Sequence, residues 1–120
     1  MHPPSVFTSI TSHLEKRMAE NKYQAKLIKK LEREFPGCVV LKNDPQYQQG
    51  ILDLTIFYED MWAMLEVKDS ATSAVQPNQE YFVNQFNNMS FAAIIHPENE
   101  AEVLDALQQA FEIKRRACVP

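Results

Sequence analysis

Two apolar runs separated by only two residues, Ile51–Tyr58 and Met61–Val67, constrain this 120-residue chain more than any other feature. Each is of strand length and rich in β-branched and aromatic side chains, and Glu59-Asp60 leaves room for a tight turn alone, so the pattern predicts a β-hairpin. Counting back from that turn, Tyr58 faces Met61 and Asp53 faces Glu66. Strand alternation puts Lys68 on the same face as Glu66 and turns Val67 away. A loop longer by two residues would keep these faces and loosen the direct pairing. Opposed side chains in a ladder sit with Cβ atoms about 4.5–5.5 Å apart. Two carboxylates there repel each other unless one is protonated or a cation lies between them. Hard oxygen ligands at that spacing suit Mg²⁺ or Mn²⁺, with the Val67 carbonyl as a further donor. Lys68 beside them is placed to hold or deprotonate a water. The plainer alternative is an exposed hairpin face on which Asp53 pairs with Lys68, an arrangement worth little.

The flanking segments are helical in pattern. Residues 21–35 carry Leu27, Ile28, Leu31 and Phe35 at helical spacing, with lysines mostly on other faces, and Pro36-Gly37 ends the run. Ser5 to about Glu20 predicts a helix, either separate or continuous with the next. Its own apolar stripe of Val6, Phe7, Ile10, Leu14 and Met18 can pack within the chain or against a second copy. Cys38–Leu41 reads as a short strand, 42–50 as a polar loop and 69–75 as a second loop. Pro77 opens a helix to about Asn88, Phe91–Ile95 is a strand, and a last helix runs from Pro97 to about Lys114. The order is α-β-β-β-α-β-α, a single α/β domain over 1–120, with 1–20 an N-terminal extension that is either an extra helix or a dimerising one. Gln24 falls on the apolar stripe of its helix with Ile28, Leu31 and Phe35. Gln79 falls with Phe82, Val83 and Phe86. An amide at each core-like position needs a polar partner, which a shared site would supply, or which water supplies if the residue lies at a helix boundary.

Composition excludes several classes. The net charge of −4 argues against tight non-specific nucleic-acid binding. The charge is uneven, though: residues 15–34 hold seven basic and four acidic side chains, whereas 98–112 hold five acids and no base. With only Gly37 and Gly50 in the whole chain, a Gly-rich phosphate loop is excluded. No apolar run reaches membrane-spanning length, the N-terminus lacks a signal-peptide pattern, and the expected compartment is the cytoplasm. Cys38 and Cys118 are read as reduced thiols.

Three segments together carry a resemblance. Gln49-Gly50-Ile51-Leu52-Asp53-Leu54, Glu66-Val67-Lys68 and Gln76-Pro77-Asn78-Gln79 resemble the core of PD-(D/E)XK nucleases, in particular the small VRR-NUC and Holliday-junction-resolvase-like members common in phages. The likeness spans roughly residues 20 to 111. Leu52 stands where the motif has proline. The resemblance implies a restriction-endonuclease-like fold, a central mixed four-stranded sheet flanked by helices. It also implies a Mg²⁺- or Mn²⁺-dependent deoxyribonuclease in the cytoplasm, that of the host if phage-encoded. Asp53 and Glu66 would hold the metal, Lys68 would position or activate water, and Gln24 and Gln79 would support the site. Gln24 stands where such nucleases have Glu or Gln, and Glu20 one turn earlier is a substitute ligand if the helix reaches back that far. Lys22, Lys26, Lys29, Lys30 and Lys42 are candidate DNA contacts, the helix lysines being otherwise an ordinary solvated face, with Lys114-Arg115-Arg116 either a further contact or a favourable cationic helix end. Cutting at a Holliday junction or other branched DNA implies a homodimer. Two other classes share these features: a catalytically silent nuclease-fold module that binds DNA or protein, and an interaction protein that meets a basic partner through its hairpin and acidic last helix.

Overall fold

The helical spacing of Leu27 and Leu31 is realised in α1 (Val6–Glu34), which buries both, and Phe35 just past its end is buried with them. A computed structural model describes residues 6–117, with side chains from residue 12 onwards. α1 is one uninterrupted helix, so residues 6–20 are its first half and not a separate element. Leu14 and Met18 are 48% and 68% exposed, so this part of the apolar stripe does not pack within the chain. The side chains of Val6, Phe7 and Ile10 lie outside the described residues. The helix stops where Pro36 follows Phe35 and Gly37 takes a left-handed φ of +88°.

Four strands follow the predicted order: β1 (Val39–Lys42), β2 (Leu54–Tyr58), β3 (Met61–Val67) and β4 (Phe91–Ile95), with α2 (Pro77–Met89) before β4 and α3 (Glu100–Ala117) after it. They form one mixed sheet in the order β1-β2-β3-β4, antiparallel except for the parallel β3–β4 pair. The β3–α2–β4 segment is thus a crossover unit, which places the start of α2 near the end of β3. Tyr58 pairs with Met61 across the two-residue turn, as predicted. Glu59 takes φ +57° there, a conformation that costs a non-glycine residue about 1–2 kcal/mol. Arg115 of α3 grips the same Glu59 carboxylate in a fork at 2.7 and 3.1 Å and lies over the Tyr58 ring.

Alternation along β2 and β3 divides the core. Leu54, Ile56, Met61, Ala63, Leu65 and Val67 face α1 and α3, meeting Leu27, Leu31, Leu104, Leu107 and Phe111. Phe35, Tyr58 and Phe111 pack their rings together at the far end. Met64 and Trp62 face α2 instead, with Phe82, Val83 and Phe86. Trp62 meets Phe86 edge-on.

Two predicted boundaries move for local reasons. α3 begins at Glu100 and not at Pro97 because the Asn99 side chain is tied back to His96 N–H and the Ile94 carbonyl, which holds 96–99 in a turn. The Asn99 carbonyl accepts from Val103 N–H at 3.0 Å and its side chain accepts from His96 N–H at 2.8 Å. β2 begins at Leu54 and not at Ile51 because the Asn43 side chain takes over the ladder's partners. Its amide donates to the Leu52 carbonyl at 2.8 Å and to the Thr55 hydroxyl at 2.9 Å.

Gly50 has φ +84°, and a Cβ there would fall 2.3 Å from the Asn78 Cβ in the first turn of α2. Gly37, with a similar φ, has nothing within 4 Å of that position. Gly37→Ala is therefore expected to cost only the left-handed conformation, about 1–2 kcal/mol. Gly50→Ala is expected to cost that plus the displacement of α2. Urea unfolding of the two variants checks the difference, and equal losses would contradict the close approach.

Candidate active site

The end of the sheet where β2 starts and β3 finishes gathers the charged residues. Asp53 precedes β2 by one residue and stands across from Glu66. Each uses its carboxylate on the backbone of the facing segment. Asp53 N–H donates to Glu66 Oε1 at 3.2 Å, and Val67 N–H donates to Asp53 Oδ2 at 2.8 Å. Side-chain oxygens thus replace the carbonyls that a continued ladder would offer, and Asn43 N–H closes the other edge on the Asp53 carbonyl at 2.8 Å. The N–H and C=O of a strand residue point the same way, so the Val67 carbonyl faces the Asp53 edge.

Glu66 is 2% exposed and Lys68 is 8% exposed, the only charged side chains among the described residues that are this deeply buried. Lys68 Nζ lies 3.1 Å from Glu66 Oε2. Gln79, in the first turn of α2, completes the set. Its Oε1 accepts from Lys68 Nζ at 3.0 Å and from Gln76 N–H at 3.1 Å, and its Nε2 donates to Glu66 Oε2 at 2.5 Å. A flipped amide would set NH₂ against an ammonium and an N–H and oxygen against a carboxylate, so this network admits one orientation. No side-chain polar atom buried among the described residues lacks a partner.

Burial, followed by the neighbouring Asp53 charge, pushes the Glu66 carboxyl up to about 7 against the pull of Lys68. Glu20 also lies above the ordinary carboxylate range, first through burial, with Lys68 opposing and Asp53 adding. α1 does reach back far enough to bring Glu20 into the field of the site, yet among the described residues no three His, Cys, Asp or Glu side chains converge as a metal cage. Gln24 is half-buried on the same helix face and makes no hydrogen bond to Asp53, Glu66 or Lys68, so the predicted role of its amide in the network is not realised. Asp53, Glu66 and the Val67 carbonyl fit an ion such as Mg²⁺, which takes one or two carboxylates and keeps several waters. They do not fit an ion that demands an all-protein shell.

The predicted basic contacts divide. Lys26, Lys29 and Lys30 line a separate cleft with Tyr23, Arg33 and Glu100. Lys30 pairs with Glu100 at 2.8 Å, and Tyr23 donates to the same carboxylate at 2.9 Å. Burial alone would raise Glu100, but these two hydrogen bonds outweigh it and lower it. Lys22 is exposed and, by helical spacing, on the side of α1 away from Glu20 and Gln24. Only Lys42, paired with Leu54 at the end of β1, shares the sheet end of Asp53. Lys114 binds the Ser90 hydroxyl and Arg115 binds Glu59, so two of the three basic residues at the end of α3 make structural contacts, and Arg116 is exposed. Residues not singled out from the sequence also border the site: His13, Lys16 and Arg17 line a cleft with Glu20, Lys68 and Gln76. Their i, i+3, i+4, i+7 spacing from His13 to Glu20 is the signal that would have found them.

Comparison with protein-family models, curated proteins and solved structures finds no match to this chain. No helix of the described residues is long and apolar enough to cross a membrane.

Because the raised Glu66 carboxyl favours the protonated form in the folded state, its contribution to stability is full below its ordinary value of 4.5 and is lost as pH rises through about 7. In the absence of divalent cations this loss is expected to reach about 3 kcal/mol by pH 8. Glu66→Gln should flatten that part of the profile. Urea unfolding between pH 4.5 and 8 in EDTA measures it, and parallel profiles for the two proteins would contradict the assignment.

Proposed function

We propose that this protein is a Mg²⁺- or Mn²⁺-dependent deoxyribonuclease with a restriction-endonuclease-like fold, cutting phosphodiesters in branched DNA such as a Holliday junction. The observation that supports this most is the clasp of Asp53 and Glu66 at the sheet end, with Lys68 beside it and Gln79 locking all three. The strand order, and the position of α2 with its N-terminus directed at the acids, agree with the resemblance of the Asp53, Glu66-Val67-Lys68 and Gln76–Gln79 segments to PD-(D/E)XK nucleases.

In this reading Asp53, Glu66 and the Val67 carbonyl hold the ion. When bound, Mg²⁺ supplies Lewis-acid polarisation of a phosphate oxygen and lowers the pKa of water. Lys68 places its ammonium where a water and the developing negative charge meet. Gln79 fixes that ammonium through Oε1, so that Lys68 does not have to be ordered during the reaction. Lys42, exposed at the same sheet end, is positioned for a flanking phosphate. A homodimer would present two such sites to a branched substrate, and the exposed Leu14 and Met18 on α1 supply apolar surface for it.

The second reading is a binding module without catalysis, favoured by the lack of a third acidic ligand in the network. One assay separates the two. Purified protein with Mg²⁺ or Mn²⁺ is expected to cut at least one of a panel of four-way, flapped, nicked and linear DNAs. Asp53→Ala, Glu66→Ala and Lys68→Ala are each expected to lower the rate by about 10²-fold or more. A wild type that cuts none of them, or variants that cut as fast, would exclude the nuclease reading.

A further inference from the structure

The face of α1 that meets the core changes chemistry along its length. From Leu31 and Leu27, which are buried, the same stripe runs through Gln24 and Glu20 to Arg17, Lys16 and His13. It is apolar over the sheet, acidic beside the candidate site and basic beyond it. Every residue from 12 to 19 is exposed, so this part of the helix overhangs the body and adds nothing to its core. His13, Lys16 and Arg17 nevertheless border one cleft of about 250 Å³ whose inner end is formed by Glu20, Lys68 and Gln76. The cleft meets the site at Lys68: its inner end carries that buried lysine with Glu20, and its outer end carries cations.

Among the described residues, neither Lys16 nor Arg17 forms an ion pair with a carboxylate. Arg17 Nη2 lies 3.5 Å from His13 Nε2, and both side chains line the outer end of that cleft. Arginine and lysine held on one side of a helix, out of ion-pair distance of any carboxylate among the described residues and next to a site proposed for phosphodiester chemistry, match a phosphate backbone.

We propose that the N-terminal overhang of α1 is a backbone clamp, in which Lys16 and Arg17, with His13 beyond them, bind DNA phosphates on one flank of the cut. This deepens the nuclease reading and rests on it for the position of the cut; strand binding by the overhang does not depend on cleavage. Seven residues separate Glu20 from His13, about 10 Å of helix at 1.5 Å per residue. That covers about three nucleotides at 3.4 Å each.

The test uses the full chain and fluorescein-labelled DNA in EDTA, with anisotropy read over a salt series. Wild type is compared with Lys16→Ala/Arg17→Ala, and with Arg33→Ala as a control on the opposite cleft. Alanine suits exposed helical positions, so folding is preserved, and circular dichroism confirms it. The double variant is expected to bind about tenfold more weakly. For a duplex its slope of log K against log salt should be lower by about 1.8, the loss of two phosphate contacts. With Mg²⁺, shortening one flank of the mapped cut below about three nucleotides should raise KM in wild type and not in the double variant. An unchanged salt slope would overturn the clamp, even if wild type cuts DNA. A slope that falls in a protein that never cuts would keep the clamp and remove the nuclease reading. Equal displacement of the DNA by polyglutamate of matched charge, from wild type and variant alike, would also overturn it.

Discussion

Everything at the working end of this molecule depends on a reciprocal clasp between two carboxylates. Asp53 accepts from the backbone of Val67, and Glu66 accepts from the backbone of Asp53. Each acid thereby stands in for a strand partner, which ends the β2–β3 ladder and fixes both side chains with no freedom to turn away from each other. An ordinary strand end would relieve the repulsion by letting one side chain swing into water. Here Glu66 is buried, and burial, with the Asp53 charge adding, holds its carboxyl up at about 7 against the pull of Lys68. Hydrogen bonds and one buried ammonium hold the two charges together; a divalent cation would neutralise what remains.

The rest of the fold serves that placement. The two-residue turn at Glu59-Asp60 sets the register, and a shift of one residue would send Asp53 and Glu66 to opposite faces. The parallel β3–β4 pair requires a crossover helix, and that helix brings Gln79 to the end of β3. Gly50 lets the chain entering β2 press against Asn78, so the two halves of the site approach as closely as backbone allows.

Much of this is legible in the sequence because it is local. Strand alternation and turn length suffice to put Asp53 opposite Glu66 and Lys68 on their face, and the position of Gln79 on an otherwise apolar helix face marks it as needing a polar partner. Gln24 carries the same mark and did not meet the network, since a half-buried amide near the surface can be satisfied by water, a distinction that spacing cannot make. The lysines were the least readable. A run such as Lys26, Lys29 and Lys30 looks alike whether it faces a ligand or an acid, and only the tertiary fold reveals that Glu100, seventy residues away, takes Lys30. The start of α3 is hidden for a related reason: Pro97 is a good first-turn residue, but the Asn99 side chain reaches back to His96 and Ile94 and holds Pro97 in the turn before the helix.

The proposed activity requires the clasp of Asp53 and Glu66 to bind a divalent cation. Calorimetric titration of the full chain with Mn²⁺ tests it without reference to any substrate. The account predicts a saturable site that is lost in Asp53→Asn while the variant remains folded. Heats that show no binding, or binding equally strong in Asp53→Asn, would contradict it.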